Sequence, residues 1–339
     1  MTGYRVWFVQ KEKAILQTFK VRDPKPDEVQ VKVDFTLISA GTEKAYLSGS
    51  NNTAGKFPTC PGYSSVGTII GTGANVVNYK EGDRVFVAYG GHGSYNIVSH
   101  KKCTLIPDRV SFEEAVFTRL AGFPLLALRR SRIEMGESVV VVGLGMLGLF
   151  AVQLARLYAI PLIAVGNREI RRQKALKFGA EYVFAPDEPN LSQNIQDIIK
   201  MKTGRMGGAD VIIETSGQID ALNSCLTYTA RLGRVMLSGC NRVTDKPIDL
   251  YKYIHYKGVE LIGAHDGTRT RYNSAPFRWT AQRDYNTILK FLEDGRLNAK
   301  DMLSEIVSPA ETTLIYNRLL YERDFPLGVV FDWREFHDN

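Results

Sequence analysis

Four cysteines are all that the 339-residue chain contains, and Cys60, Cys103, Cys225 and Cys240 stand far apart with no C-x-x-C spacing. Such scattered thiols argue against a disulfide framework and against a cysteine-built metal site, and they fit a reducing cytoplasm. Long apolar runs are missing too: nothing approaches the ~18 residues a membrane span needs. The opening MTGYRVWFVQKEK has no apolar core behind a basic start, so the expectation is a soluble, unexported protein with no membrane partner. The five histidines, His92, His100, His255, His265 and His337, show no paired spacing that would build a metal site. The net charge of +7 is spread along the chain, apart from Arg129/Arg130/Arg132 and Arg168/Arg171/Arg172/Lys174. Solvated helix faces account for most of it, so no nucleic-acid partner is expected, and the second group suits an anionic small ligand.

What the sequence does have is ESVVVVGLGMLGLFAVQLARLYA, Glu137 to Ala159. Val139 to Val142 read as a strand buried on both faces, and Gly143, Gly145 and Gly148 give G-x-G-x-x-G before an apolar helix that begins with Met146 and Leu147. In that order the first glycine allows a tight turn, the second lets a pyrophosphate approach the backbone, and the third lets helix and strand pack closely. The helix N-terminus attracts the phosphate charge. This stretch is therefore expected to bind a dinucleotide.

On the amino-terminal side of it, residues 4 to about 118 are β-rich: Val29, Val31, Val33 and Phe35 alternate as in a half-buried strand, and further short strands follow between glycine turns. From about 120 to 262 strands alternate with helices, with strands at 138–142, 161–165, 182–184, 210–214, 233–238 and 259–263 and helices at 190–202 and 218–230. Six strands with helical crossovers predict an α/β fold with a doubly wound parallel sheet. After Gly263 a helix and a final strand, LGVVFDW, are too short to fold alone and are expected to return to the first domain. The expected division is 1–119 with 263–339, and 120–262.

The motifs ISAGTE at 38–43, PGYSSVG at 61–67, EGDRV at 81–85, IPDRVSFEEA at 106–115, the GLGMLG turn and IETSG at 213–217 occur in an order that resembles the medium-chain dehydrogenase/reductase superfamily over nearly the whole chain. The resemblance implies a GroES-like catalytic domain, a Rossmann cofactor domain, and hydride transfer between a nicotinamide and an alcohol or carbonyl carbon. GLGMLG looks like the alcohol and polyol dehydrogenase branch. Zinc members have a cysteine where this chain has Ala40 and a His-Glu pair where it has Tyr63 and Ser64, and the cysteine-rich loop of many relatives is absent between Val85 and Tyr95. No metal is expected at either place, as in a zinc-lacking subgroup of the family. Dimerising relatives pair the last strands of their cofactor sheets, and the apolar GVELIGAH here suggests a homodimer.

An NAD enzyme usually carries an acidic residue at the end of the second strand, where this chain has Gly166, Asn167 and Arg168. A repelling carboxylate is missing and a guanidinium is in place, which predicts NADP(H) over NAD(H). Thr215, Ser216 and Gly217 complete the cofactor-binding set. Without zinc, a donor must stabilise the oxygen of the product alkoxide. The candidates are Tyr63, with Lys44 lowering its pKa; Thr42, matching the proton-relaying hydroxyl residue of zinc relatives; and His92, exchanging a proton with solvent. His265, Asp266, Arg269, Arg271, Tyr272 and Trp279 lie where the chain leaves the cofactor sheet and are candidates to meet a small hydroxylated or anionic substrate. The leading expectation is a zinc-independent NADP(H)-dependent alcohol/ketone oxidoreductase acting on a sugar, polyol or similar compound. An enoyl or quinone reductase, and a non-catalytic NADPH-binding protein, are the alternatives.

Overall fold

A computed structural model describes residues 1–243, 245–270 and 279–337. The chain divides into two compact units, Met1–Arg119 with Tyr285–Asn339, and Leu120–Asp284.

In the first unit a sheet runs in the order Leu303–Val307, Gly328–Asp332, Glu28–Leu37, Ser64–Thr72, Arg84–Ala88, Cys103–Leu105, and Tyr95–Ser99 also pairs with Glu28–Leu37. A separate hairpin joins Thr2–Gln10 to Lys13–Lys20. Val29, Val31, Val33 and Phe35 of Glu28–Leu37 are all buried, as the period-two pattern predicts, but Gln30, Thr36 and Leu37 are buried as well, so this strand is covered more fully than a half-buried one. The strand from the LGVVFDW segment, Gly328–Asp332, lies antiparallel against Glu28–Leu37, with Val330 opposite Leu37.

The second unit is the doubly wound sheet. Among the described residues its six strands run Tyr182–Phe184, Leu162–Val165, Val139–Val142, Ala209–Glu214, Thr229–Leu237, Glu260–Gly263, and every pair is parallel. The order reverses between Val139–Val142 and Ala209–Glu214, so the loops at their carboxyl ends flank the crevice where such sheets receive ligands. The helix expected at 218–230 is Ile219–Tyr228. It stops because Thr229 turns its hydroxyl onto the carbonyl of Cys225 at 2.8 Å and opens the next strand against Ala209.

The units divide at Tyr285, whereas the sequence pattern places the boundary at residue 263. The reason is a buried ion cluster. Arg269 pairs with Asp266 at 2.5 Å and Asp284 at 3.2 Å, and it donates to the carbonyl of Gly122, which ties the segment before Tyr285 to the second unit.

Candidate active site

The glycine turn after Val139–Val142 is fixed by sterics. Gly143 has φ +89°, and a Cβ there would lie 2.7 Å from the backbone nitrogen of Ser216. A Cβ on Gly148 would lie 1.8 Å from the carbonyl oxygen of Gly143, so only glycine lets the helix Met146–Ala155 pack this close. Gly145, the residue that caps this helix, is different: a Cβ there would meet nothing within 4 Å. Open space at this point lets a ligand approach the backbone, and a glycine cap offers no side-chain acceptor to the N–H groups of the first turn, which Met146 and Leu147 begin.

The neighbouring loop is held to this turn. Thr215 donates its hydroxyl to the carbonyl of Gly143 at 2.6 Å. Buried Glu214 accepts from the Ser216 N–H at 2.6 Å, from the Ser216 hydroxyl, and from the Gly217 N–H at 3.1 Å. Burial pushes the Glu214 carboxyl up, and these donors pull it back. Thr215 and Ser216 thus shape the loop through hydroxyls already bonded within the protein.

At the end of Leu162–Val165, Gly166 is buried, and a Cβ there would come within 2.6 Å of the Leu144 side chain. Close packing therefore excludes an acidic side chain at this position unless Leu144 moves. Arg172 donates to the Gly166 carbonyl at 2.7 Å and pairs with Glu169, so this member of the basic group braces the turn. Asn167 is exposed, and half-buried Arg168 caps the helix Glu169–Lys177 in an extended conformation.

In the first unit, a second cluster forms around Tyr63. Ser39 precedes the helix Ala40–Leu47 but makes no side-chain cap; its hydroxyl bonds the phenol of Tyr63 instead. The Thr42 hydroxyl also bonds this phenol, whose pKa is raised, chiefly by burial. Ser64, at the other position where zinc relatives carry a ligand, donates its hydroxyl to the carbonyl of Val116.

The cation beside Tyr63 is Arg119, not Lys44, which is exposed on the outer face of its helix. The guanidinium carbon of Arg119 lies 4.9 Å from the ring centroid of Tyr63 and 3.8 Å from that of Tyr89, and Nη1 donates to the Tyr285 hydroxyl. Sequence reasoning missed Arg119. Its signal was an arginine inside the apolar run AVFTRLAGFPLLAL, where a charged side chain is out of place unless it has a task.

His92 does not face solvent. It is fully buried, with Nδ1 2.7 Å from the Thr36 hydroxyl and Nε2 3.1 and 3.2 Å from the Glu43 carboxylate oxygens. Trp333 donates to Thr36 at 2.9 Å, which leaves the Thr36 hydroxyl oriented to donate to Nδ1 and Nε2–H to point at Glu43. Glu43 also accepts from Tyr316 at 2.6 Å and from the Ser39 N–H at 2.8 Å. This network anchors the start of the helix that carries Ser39 and Thr42, and a ring with no exposed atom is badly placed to exchange protons with solvent.

The residues at the family's zinc positions do not fit a zinc ion. Ala40 has no donor atom, Ser64 is bonded to backbone, and a guanidinium lies at the face of Tyr63, where a second cation would be repelled. Among the described residues no group of three or more His, Cys, Asp or Glu side chains is arranged to hold a metal.

The candidate substrate residues separate in the same way. Arg269 and Asp266 are paired within the ion cluster, in which the Asp284 carboxylate also bonds Arg129 at 2.9 Å. Trp279 lies against two guanidinium groups, Arg129 at 3.6 Å and Arg283 at 4.1 Å from its centroid. His265 is exposed, and its Nδ1 accepts from the Gly267 N–H at 3.1 Å. Arg271 and Tyr272 lie outside the described residues.

Comparison with known proteins agrees with this architecture. Residues 25–110 match the alcohol dehydrogenase GroES-like domain, and residues 147–281 match the zinc-binding dehydrogenase family. The chain is 31% identical over 284 residues to D-guloside 3-dehydrogenase of Escherichia coli, covering 82% of this chain and 78% of that protein. It is 27% identical over 296 residues to sorbitol dehydrogenase of Bacillus subtilis, covering 74% and 82%. A zinc-binding dehydrogenase from Sinorhizobium meliloti, solved bound to NADP, superposes with a TM-score of 0.82 at 18% identity, over 98% of this chain and 99% of that one. On these matches and this fold, the chain belongs to the medium-chain dehydrogenase/reductase superfamily of oxidoreductases.

Proposed function

We propose that the protein is a zinc-independent, NADP(H)-dependent oxidoreductase that interconverts a secondary alcohol and a ketone on a sugar, polyol or other hydroxylated small molecule. The observation that carries this reading is the Tyr63 phenol, held by Ser39 and Thr42 where zinc relatives have a metal ligand, with a guanidinium at its ring face. The relatives named for D-guloside and sorbitol support the substrate class.

Gly143, Gly145 and Gly148, with the N–H groups of Met146 and Leu147, would hold the pyrophosphate, and the loop Thr215–Gly217 would border it. Asn167 and Arg168 would hold the 2′-phosphate, since Gly166 has no room for the acidic side chain that selects NAD. A nicotinamide held there would supply the hydride chemistry at the carbonyl carbon. Tyr63 gives its phenolic proton to the carbonyl oxygen in reduction and takes it back in oxidation, and the hydroxyls of Ser39 and Thr42 relay it. Burial keeps the phenol protonated at neutral pH, the state a donor requires. Of the substrate residues, exposed His265 is the one we retain, because Asp266, Arg269 and Trp279 are held in the ion cluster and its stacking. We also read the protein as cytoplasmic and as a homodimer: among the described residues Glu260–Gly263 ends its sheet and pairs on one side only, with Thr229–Leu237.

The test is purified protein with NADPH and a panel of ketones, sugars and enones. Ketone or sugar turnover that survives exhaustive chelation, with no zinc in elemental analysis, is expected. Turnover of enones alone, or activity lost to a chelator and restored by zinc, would overturn the reading. Light scattering at micromolar concentration checks the dimer.

A further inference from the structure

Arg119 occupies a place that folding alone does not favour. It lies in the first turn of the helix Thr118–Ser131, where the helix dipole opposes a cation, and it is 2% exposed. It is nevertheless held from several sides. The rings of Tyr63 and Tyr89 lie 4.9 and 3.8 Å from its guanidinium carbon, and the hydroxyl of Tyr285, whose ring packs edge-on against Phe86 at 5.1 Å, accepts from Nη1. Tyr89 takes part at a cost, because its φ of +61° is a conformation that bulky residues rarely adopt. The strained turn, the buried cation and the two ring faces serve one arrangement.

We propose that Arg119 is a positioning residue that acts through Tyr63, fixing its ring and stabilising the phenolate left when Tyr63 has given up its proton. This rests on the reading of Tyr63 as the proton donor. In ketone reduction the carbonyl carbon gains a hydride, the C=O π pair moves onto oxygen, and the Tyr63 O–H bond breaks to protonate that oxygen. The electron pair of the broken bond stays on the phenolate. The groups that bear on it are the Ser39 and Thr42 hydroxyls, which favour it, and Glu43, which opposes it from the same helix. Arg119, on another helix, supplies the opposing positive charge. A guanidinium suits this role because it stays charged at every working pH and its plane can lie against rings.

Phenolate ultraviolet absorbance, titrated on the full chain with NADP⁺ present, tests the proposal without a substrate. Each form is compared with its Tyr63→Phe counterpart, so that the difference isolates Tyr63. Arg119→Met is expected to move the Tyr63 midpoint up by at least about one pH unit, a tenfold change in its ionisation constant, with a smaller rise in Arg119→Lys. NADPH binding within about twofold of the parent, on a scale where tenfold is 1.4 kcal/mol, identifies variants that have folded. If Arg119→Met does not fold, the Arg119→Lys midpoint decides. An unchanged midpoint in a folded variant would overturn the proposal. Turnover by the parent with an unchanged midpoint sinks the role of Arg119 and spares the proton-donor reading. A shifted midpoint with equal turnover in the parent and Tyr63→Phe sinks the proton-donor reading instead.

Discussion

The glycine turn of the second unit draws its steric demands from residues close together in sequence, Gly143 and Gly148, with Thr215 and Ser216 arriving in the loop that follows the adjacent strand. The Tyr63 cluster of the first unit is gathered from Ser39, Thr42, Tyr89, Arg119 and Tyr285, which no short motif spans. Phosphate binding needs only backbone geometry, which a few glycines can dictate locally. Proton transfer needs a particular side chain in a tuned environment, and that environment comes from wherever the fold brings neighbours together.

The largest expected effect is at Gly148. Alanine there would meet the Gly143 carbonyl oxygen at 1.8 Å, a backbone atom that cannot swing away. A cost of about 3 kcal/mol, at the upper end for overpacking, and a loss of NADPH affinity of about 100-fold or more are expected. Gly145→Ala sharpens the contrast. Its Cβ meets nothing, so thermal stability is expected to hold while NADPH binding weakens, because the methyl group would occupy the space proposed for the ligand. Thermal unfolding and fluorescence titration of both variants check this; equal behaviour would remove the distinction between packing glycine and ligand glycine.

Tyr63→Phe is expected to lower kcat by about 100-fold or more, the usual scale for a lost general acid, with NADPH binding unchanged. Here the two regions separate cleanly, since the variant acts on chemistry and leaves the glycine turn untouched. An unchanged kcat would move the donor role to Thr42, because Lys44 is exposed and His92 is fully buried against Glu43.

These contrasts also explain what the sequence allowed. The doubly wound sheet was legible because Val139–Val142 and its partner strands are short apolar runs between glycine turns, and such periodicity is local. The alternation in Glu28–Leu37 was legible for the same reason. Tyr63 and Thr42 are candidates through their motif positions, and the fold brings their hydroxyls together. The cation beside Tyr63 is not legible in the same way: Lys44 is the cation the AGTEK turn offers, yet it is Glu43 of that helix that turns inward, and the cation at the Tyr63 ring is Arg119. His92 is expected to exchange protons with solvent because a short glycine-rich segment usually lies at the surface. Its burial depends on Thr36, Glu43 and Trp333, all distant in sequence. The boundary suggested at 263 failed to anticipate Asp284, whose carboxylate draws Arg129 and Arg269 together.

A smaller effect is expected at Arg168. A charge-assisted hydrogen bond of about 1.5–3 kcal/mol to a 2′-phosphate predicts that Arg168→Ala weakens NADPH by about 10- to 100-fold and NADH little. Arg172→Ala removes the brace on the Gly166 carbonyl and on Glu169, so it is expected to affect both cofactors alike. Paired titrations with the two cofactors separate these outcomes, and equal losses in Arg168→Ala would end the 2′-phosphate assignment.

The smallest effect compares one raised carboxyl group from each unit. Glu214 of the second unit is held by Ser216 and Gly217 donors, whereas Asp34 of the first is pushed up to about 6 by burial, against the pull of Arg334 and Lys32. An unfolded aspartate titrates near 3.9, so folding favours the protonated form of Asp34. The stability this contributes is fully present below the unfolded value and is lost as pH rises through about 6. Asp34→Asn keeps the shape and cannot ionise. Its melting temperature relative to the parent is therefore expected to rise as the pH is taken from about 4 to above 7. Carboxylates lowered in the fold, such as Glu28 beside Arg22, which is held down to about 2, change their contribution mostly at lower pH; they are common to both proteins and cancel in the difference. A difference in melting temperature that stays constant over this window would mean that Asp34 is ionised in the fold at little cost, and that its burial is relieved by Arg334 and Lys32.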